Sequence, residues 1–354
     1  MTPELGIIEA RFGRPWSWAE RAAVISLLGP AGYGFYHYGP KADARLRRAW
    51  RTAHEPGEMG RIAELAAQCR SRDMRFGIAL TPIDAHLDFD AATRAALVAK
   101  LAAFDAIGAD DLIILFDDLR GDMPDLAERQ ADVMKFCADH SRATRFYLCP
   151  SYYSDDPVLD RVFGRRPDRY IETLGRELDS GVSVYWTGAE VCAREIRPGS
   201  LAAINARLGR AVCLWDNYPV NDGPRMSRFL HLRAFTGRSA SIAGHVSGHA
   251  VNPAMQPILG CIPALTLPMS YQAGEDYDYA AAFAEAARIV VGDQLAELLQ
   301  EDLMMLNDAG LERLAEAQRR LRERYAAIDH PAAQEVVEWL DGGYSVSEEE
   351  VRTQ

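Results

Sequence analysis

Leu112-Ile113-Ile114-Leu115-Phe116-Asp117-Asp118 is an apolar run that ends on two adjacent carboxylates. An apolar run without polar alternation reads as a strand buried on both faces, the pattern of a parallel sheet. Successive strand side chains point to opposite faces, so at least one Asp must lie where the strand ends and the chain opens toward water. A carboxylate pair at the C-terminal end of such a strand is where an α/β enzyme keeps its chemistry. A solvated Asp-rich turn is the competing reading of this stretch alone.

Working outward, the same unit recurs. Gly6–Glu9 is a strand that also ends on an acid; Ser17 and Glu20 have capping-box spacing and start a helix that runs to about Leu28. Further strands are expected at 32–38, 76–80, 145–150, 182–188, 211–217 and 240–244, separated by helical stretches at 58–72, 90–107, 124–140, 168–178 and 201–208. Strands alternating with helices imply parallel pairing through right-handed crossovers. Eight strand signals before about residue 250 predict an α/β fold, a (β/α)8 TIM barrel, over 1–278. A doubly wound sheet would need a glycine-rich turn after the first strand, where Glu9-Ala10-Arg11-Phe12-Gly13 stands instead. From Tyr279 on, Ala, Leu, Glu and Arg dominate with a helical period, so 279–354 is expected to be a small C-terminal helical region with helices at 280–291, 294–307, 311–327 and 330–340. The polar tail from Ser345 to Gln354 is expected to fray.

The totals narrow the function. A net charge of -12 argues against nucleic acid or an anionic membrane as partner. No apolar run approaches the roughly 18 residues of a membrane helix, and no secretion signal opens the chain, so a soluble cytoplasmic protein is expected. Six scattered cysteines without close pairs argue against a zinc site or disulfide framework. His245 and His249 have i, i+4 spacing, but Gly248 between them weakens a metal reading, and no metal or cofactor is expected.

Almost every strand ends in residues odd for a core and suited to a sugar: Glu9, Lys41, Asp117 with Asp118, Tyr152 with Tyr153, Trp186, Trp215 with Asn217 and Asp222, and Asn252. Each alone has a plainer reading. Lys41 would be a surface lysine, Trp186 and Trp215 core, Asn217 and Asp222 turn residues beside proline, and Glu9 a buried acid paired with Arg14. In a barrel, however, these ends share one rim. Acids, amides and aromatics around one pocket suit a neutral polyhydroxylated ligand, and glycoside hydrolysis typically uses two carboxyl groups.

Glu9-Ala10-Arg11-Phe12-Gly13-Arg14-Pro15-Trp16, Tyr38-Gly39-Pro40-Lys41-Ala42-Asp43, Phe116-Asp117-Asp118, Cys149-Pro150-Ser151-Tyr152-Tyr153, Trp186-Thr187-Gly188, the run from Trp215 to Asp222 and Asn252-Pro253 resemble, in order, the motifs of family 84 glycoside hydrolases. These are the O-GlcNAcases and related β-N-acetylglucosaminidases. The resemblance implies a retaining exo-β-N-acetylglucosaminidase in which the substrate's own acetamido oxygen is the nucleophile and an oxazoline forms. Asp117 would orient the acetamido N–H, and Asp118 would be general acid and then general base. It further implies Asn217 and Tyr153 at the acetamido group, Trp215 lining its pocket, Asp222 on the outer hydroxyls, and Lys41, Asn252 and the Gly6 backbone around the ring. The partner would be an N-acetylglucosamine-containing glycoconjugate, with a homodimer left open. Departures fall in the first loop, at Ala42 and over Pro257-Ile258-Leu259-Gly260, beside the expected leaving-group groove. A catalytically weak GlcNAc-binding protein on the same barrel is the alternative, prompted by Arg11.

Overall fold

A computed structural model describes residues 2–354. Eight parallel strands, β1 (Leu5–Glu9), β2 (Tyr33–Tyr38), β3 (Arg75–Leu80), β4 (Asp111–Leu115), β5 (Arg145–Cys149), β6 (Val182–Trp186), β7 (Val212–Asp216) and β8 (Val246–Val251), follow one another around a barrel that β8 closes onto β1. The expected (β/α)8 architecture is therefore present. The helices are α1 (Trp18–Leu28), α2 (Pro56–Arg70), α3 (Ala91–Ala106), α4 (Leu126–Asp139), α5 (Pro157–Phe163), α6 (Tyr170–Glu177), α7 (Pro198–Leu208) and α8 (Cys261–Ala273), then α9 (Tyr279–Leu303), α10 (Leu311–Leu314), α11 (Glu316–Ala326), α12 (Pro331–Leu340) and α13 (Glu348–Thr353). The Ser17 capping box forms as its spacing requires, with the Glu20 amide donating to the Ser17 hydroxyl and the Ser17 amide to Glu20.

The eighth strand is not where its sequence suggested. Ala240–His245 is a 3-10 turn, and β8 starts at Val246. Ala-Ser-Ile-Ala-Gly has the apolar look of a strand, whereas the true strand carries Ser, Gly and His because it faces a polar barrel interior. There His249 Nε2 meets Asp216 at 3.0 Å, His249 Nδ1 meets the Tyr271 hydroxyl at 2.8 Å, and Arg238 braces Asp216 with two bonds of 2.6 and 2.7 Å. With the Arg238 and His249 groups around it, the buried Asp216 carboxyl is held far below the usual carboxylate range despite its burial. A second interior network joins His37 to Tyr185 and Asp111, and Asp111 to Arg75. Glu9 belongs to this class of buried structural acids, but its partner is Arg21 at 2.7 and 2.8 Å, not Arg14. Arg14 reaches outward to Glu338 instead.

Beyond the barrel, one hydrophobic cluster runs from Leu5 to Val346 and includes residues of α8, α9 and α12. Helix α8 is buried on nearly every side, so it has no amphipathic period and carries Pro268 inside it. The helix expected over 311–327 is broken at Ala315, whose φ is 40°, and nothing in the sequence marks that break.

The C-terminal tail does not fray. Val346 is buried, its amide donates to the Ser227 hydroxyl, and Ser347 caps α13 with a full capping box. Gln354 Oε1 accepts from the Gly13 amide at 2.8 Å. Gly13 has φ 79°, and a Cβ there would stand 2.7 Å from Met255 and 2.8 Å from Val346, so only glycine fits between loop and tail. Polar composition suggested mobility; the capping chemistry and one apolar anchor override it.

Candidate active site

The sheet register brings the candidate residues together. Leu115 pairs with Cys149, and the Phe116 amide extends that ladder by donating to Cys149 O at 2.8 Å. The chain then turns: Asp118 has φ 61°, the left-handed region that Asp tolerates better than most residues. Strict strand alternation would send two consecutive side chains to opposite faces. Because the strand ends at Leu115 and Asp118 is turned, both carboxylates line one cavity. On the other side of the barrel Asp216 pairs with Val251, and the Asn252 amide donates to Asp216 O at 2.9 Å, which sets Asn217 and Asn252 next to each other.

The cavity has a volume of about 210 Å³ and is lined by Lys41, Asp117, Asp118, Tyr153, Trp215, Asn217, Asp222 and Asn252. That is below the usual range for drug-sized ligands and suits a single sugar unit. Lys41 is buried, makes an ion pair with Asp117 Oδ2 and stands 3.7 Å from Asp118 Oδ2. Tyr153 donates to Asp118 Oδ1 at 3.3 Å. The other oxygen of Asp117, Oδ1, is buried and accepts no hydrogen bond from the described residues, and the same is true of Asn252 Oδ1. Unpaired buried acceptors cost about 1–3 kcal/mol each, so two of them in one cavity mark where a ligand's donors belong.

Asn217 is the hub of the opposite wall. Its Oδ1 accepts from Trp215 Nε1 and from Asn252 Nδ2, each at 3.0 Å, while its Nδ2 donates to Val191 O at 2.9 Å. Asp222 Oδ2 accepts from the Phe12 amide at 2.8 Å, which ties the loop after β7 to the loop after β1.

The carboxyl groups differ in their proton affinity. Burial raises the pKa of Asp118; Lys41 opposes the shift, the neighbouring Asp117 charge adds to it, and the net direction is upward. Asp222 is also raised by burial, against the Phe12 amide and the Arg11 charge that lower it. Burial raises the Tyr153 phenol well above its ordinary value, so it remains a donor.

Gly6 is not among the residues that line the cavity: it lies inside β1, where the absence of a side chain admits the Phe35 ring, since a Cβ there would stand 2.1 Å from it. The rim at the end of β1 comes instead from Ala10 and Phe12. Cys149, Thr187, Val191, Cys192 and Val220 complete the lining, and their apolar or small side chains carry no chemical signature that would single them out in a sequence. Arg11 is not among the lining residues. Its guanidinium turns back on its own loop, donating to Arg14 O at 2.8 Å and Phe12 O at 3.3 Å and stacking over Trp16, so its presence does not fill the pocket.

Comparison with known proteins identifies the family. The pattern of the family described as NAGidase, beta-N-acetylglucosaminidase, matches residues 5–306. The protein O-GlcNAcases of Mus musculus and Rattus norvegicus are each 26% identical over 260 residues, which is 70% of this chain and 28% of theirs. The chain thus spans under a third of the length of those relatives. Among solved structures, a mutant of the Thermobaculum terrenum O-GlcNAc hydrolase superposes with a TM-score of 0.79 at 25% identity, over 95% of this chain and 80% of that one. CpGH84B, at 21% identity and a TM-score of 0.77 over 96% of this chain and 66% of that one, has the same fold. With 302 consecutive residues under the family pattern and the acid pair seated in a sugar-sized cavity, the chain belongs to the beta-N-acetylglucosaminidase family of glycoside hydrolases.

Proposed function

We propose that the protein hydrolyses terminal β-linked N-acetylglucosamine with retention, by substrate-assisted catalysis. The observation that carries this reading is the unequal setting of the acid pair: Asp117 has one oxygen on Lys41 and the other unpartnered in the cavity, while Asp118 is poised with a raised pKa beside Tyr153. In this reading Asp117 Oδ1 accepts the acetamido N–H and turns the carbonyl oxygen toward C1. That oxygen attacks C1 as the C1–O bond to the leaving group breaks, and Asp118 gives its proton to the departing oxygen. The oxazoline is then opened by water, whose proton returns to Asp118. Adjacent carboxylates suit this route because neither is the covalent nucleophile, and such enzymes stand outside the usual two-carboxylate distance rule. Asp222 and Asn252 hold the ring hydroxyls, and the Asn217 hub shapes the acetamido wall with Trp215.

The test is hydrolysis of a chromogenic β-N-acetylglucosaminide, followed by NMR of the first-formed anomer. Turnover with the β-anomer released, slowed steeply as fluorine is added to the acetamido methyl, supports the reading. Tight GlcNAc binding by calorimetry without any turnover would instead leave a carbohydrate-binding protein.

A further inference from the structure

Barrel order fixes which side of the cavity the leaving group departs from. Phe12 and Asp222, in the loops after β1 and β7, close one wall, whereas Asp118 and Tyr153 stand at the ends of β4 and β5, across the barrel. A general acid must lie beside the oxygen that it protonates, so the bond to the aglycone points toward the Asp118 and Tyr153 side. On that side the sugar cavity continues over Tyr153, Val191 and Cys192 into a groove of about 750 Å³.

The walls of this groove have a distinct chemistry. Val158, Val162 and Phe163 of α5 form one side, and Ala189 and Val191 of the loop after β6 form the other. Val162 keeps 64% of its surface exposed, a large apolar side chain turned to solvent beside a polar cavity. Among the described residues no lysine or arginine lines the groove, and its acids are Asp156 and Glu190. Asp156 is engaged in holding the two walls together, with Oδ1 accepting from the Val158 amide at 2.9 Å and Oδ2 from the Val191 amide at 3.2 Å. The Thr187 hydroxyl adds a bond to Glu190 O at 3.2 Å, so the groove is preformed. Glu190 is exposed and is one of the residues that line the groove.

Resting on the catalytic reading above, we propose that this groove is the leaving-group subsite and that it selects aglycones that are apolar and carry no negative charge. Continuity with the sugar cavity supplies the position. The apolar walls reward buried hydrocarbon, at roughly fourfold in affinity per fully buried methylene, and the acidic lip penalises anions.

The experiment compares kcat/KM for the methyl, hexyl and 5-carboxypentyl β-glycosides of N-acetylglucosamine, whose leaving alcohols have similar intrinsic reactivity. The hexyl glycoside is expected to exceed the methyl glycoside by at least about tenfold, and the terminal carboxylate to erase most of that gain. Val162→Asp is expected to bring the hexyl-to-methyl ratio toward one, and Val162→Leu to preserve it. Similar values for methyl and hexyl in the wild type, or a ratio that Val162→Asp leaves in place, overturn the proposal. So does a preference for the carboxylated chain, which would put the aglycone in the cleft on the Asp222 side, where Arg194 and Arg225 stand. Failure to cleave even the methyl and chromogenic glycosides is a different result: it removes the catalytic reading itself, and the subsite with it.

Discussion

Tyr153 donates to Oδ1 of Asp118, while Lys41 faces Oδ2 of the same carboxylate, so the proposed general acid is bracketed by a neutral donor and a cation. Both stabilise the ionised form and hold down a pKa that burial raises. Catalysis requires Asp118 to carry its proton, so activity falls as pH rises through its pKa. Tyr153→Phe removes one stabilising bond, raises that pKa further and is expected to move the alkaline limb of the kcat profile to higher pH. A limb that stays in place or moves down contradicts the assignment.

Asp118→Asn is expected to reduce kcat on a poor leaving group by about 10²–10⁴-fold, and far less on an activated aryl glycoside that departs without a proton. Equal losses on both substrates would show that Asp118 acts through position and not through proton transfer.

Lys41→Met leaves the buried Asp117 carboxylate without its cation. Breaking a buried ion pair costs about 3–5 kcal/mol, so Tm should fall, and Asp117 should lose the fixed orientation with which it meets the acetamido N–H. Asp117→Asn is expected to spare stability relative to Lys41→Met while impairing turnover as severely. Wild-type kcat/KM in either variant would separate the pair from the chemistry.

Glu335 of α12 accepts from the Ile258 and Leu259 amides, each at 2.8 Å, and so anchors the loop that begins at Asn252. Burial pushes its pKa up to about 8. An acid whose pKa is raised on folding stabilises the fold most below its unfolded value, and that contribution is lost as pH rises toward the folded value. Wild-type Tm should therefore decline between about pH 4.5 and 8, and Glu335→Gln should start from a lower Tm with a shallower decline. Differential scanning calorimetry across that window is decisive; an unchanged slope contradicts the assignment.

Of the six cysteines only Cys192 is exposed, and it stands on the lip that the sugar cavity shares with the groove. Partial desolvation in the pocket wall, with the nearby Asp222 and Asp216 charges, pushes its thiol up to about 11, so thiolate is scarce at neutral pH and alkylation should accelerate as pH rises. Iodoacetamide is expected to modify this one residue in the folded protein and to block turnover, while Cys192→Ser resists inactivation. Mass spectrometry that finds a different cysteine modified first would contradict the geometry.

Much of this molecule could be read from its residues. Seven strands announced themselves through apolar runs, and the acids stood out because Asp117 and Asp118 interrupt one of those runs. What escaped reading did so for physical reasons. β8 is polar because the barrel encloses the His249–Asp216–Arg238 network, and α8 has no period because it is covered all round. Gly6 lies within β1 and Ala10 just past its end, and only the depth of the barrel tells which of them lines the cavity. The order of the tail escapes a reading by polarity, which cannot register a single buried Val346 or the bond from Gly13 to Gln354.

That last bond joins positions 341 residues apart, and Glu335 and Trp339 likewise reach back to loops whose residues were made long before them. Such distant pairings form late, after the entropic cost of closing a long loop has been met. A nascent chain can therefore assemble its strands while the rim at Phe12 and Asn252 is still unanchored, and sugar recognition should mature only once the segment from 335 to 354 has left the ribosome. Ligand affinity, followed during synthesis, would then appear as a later step separate from acquisition of the barrel.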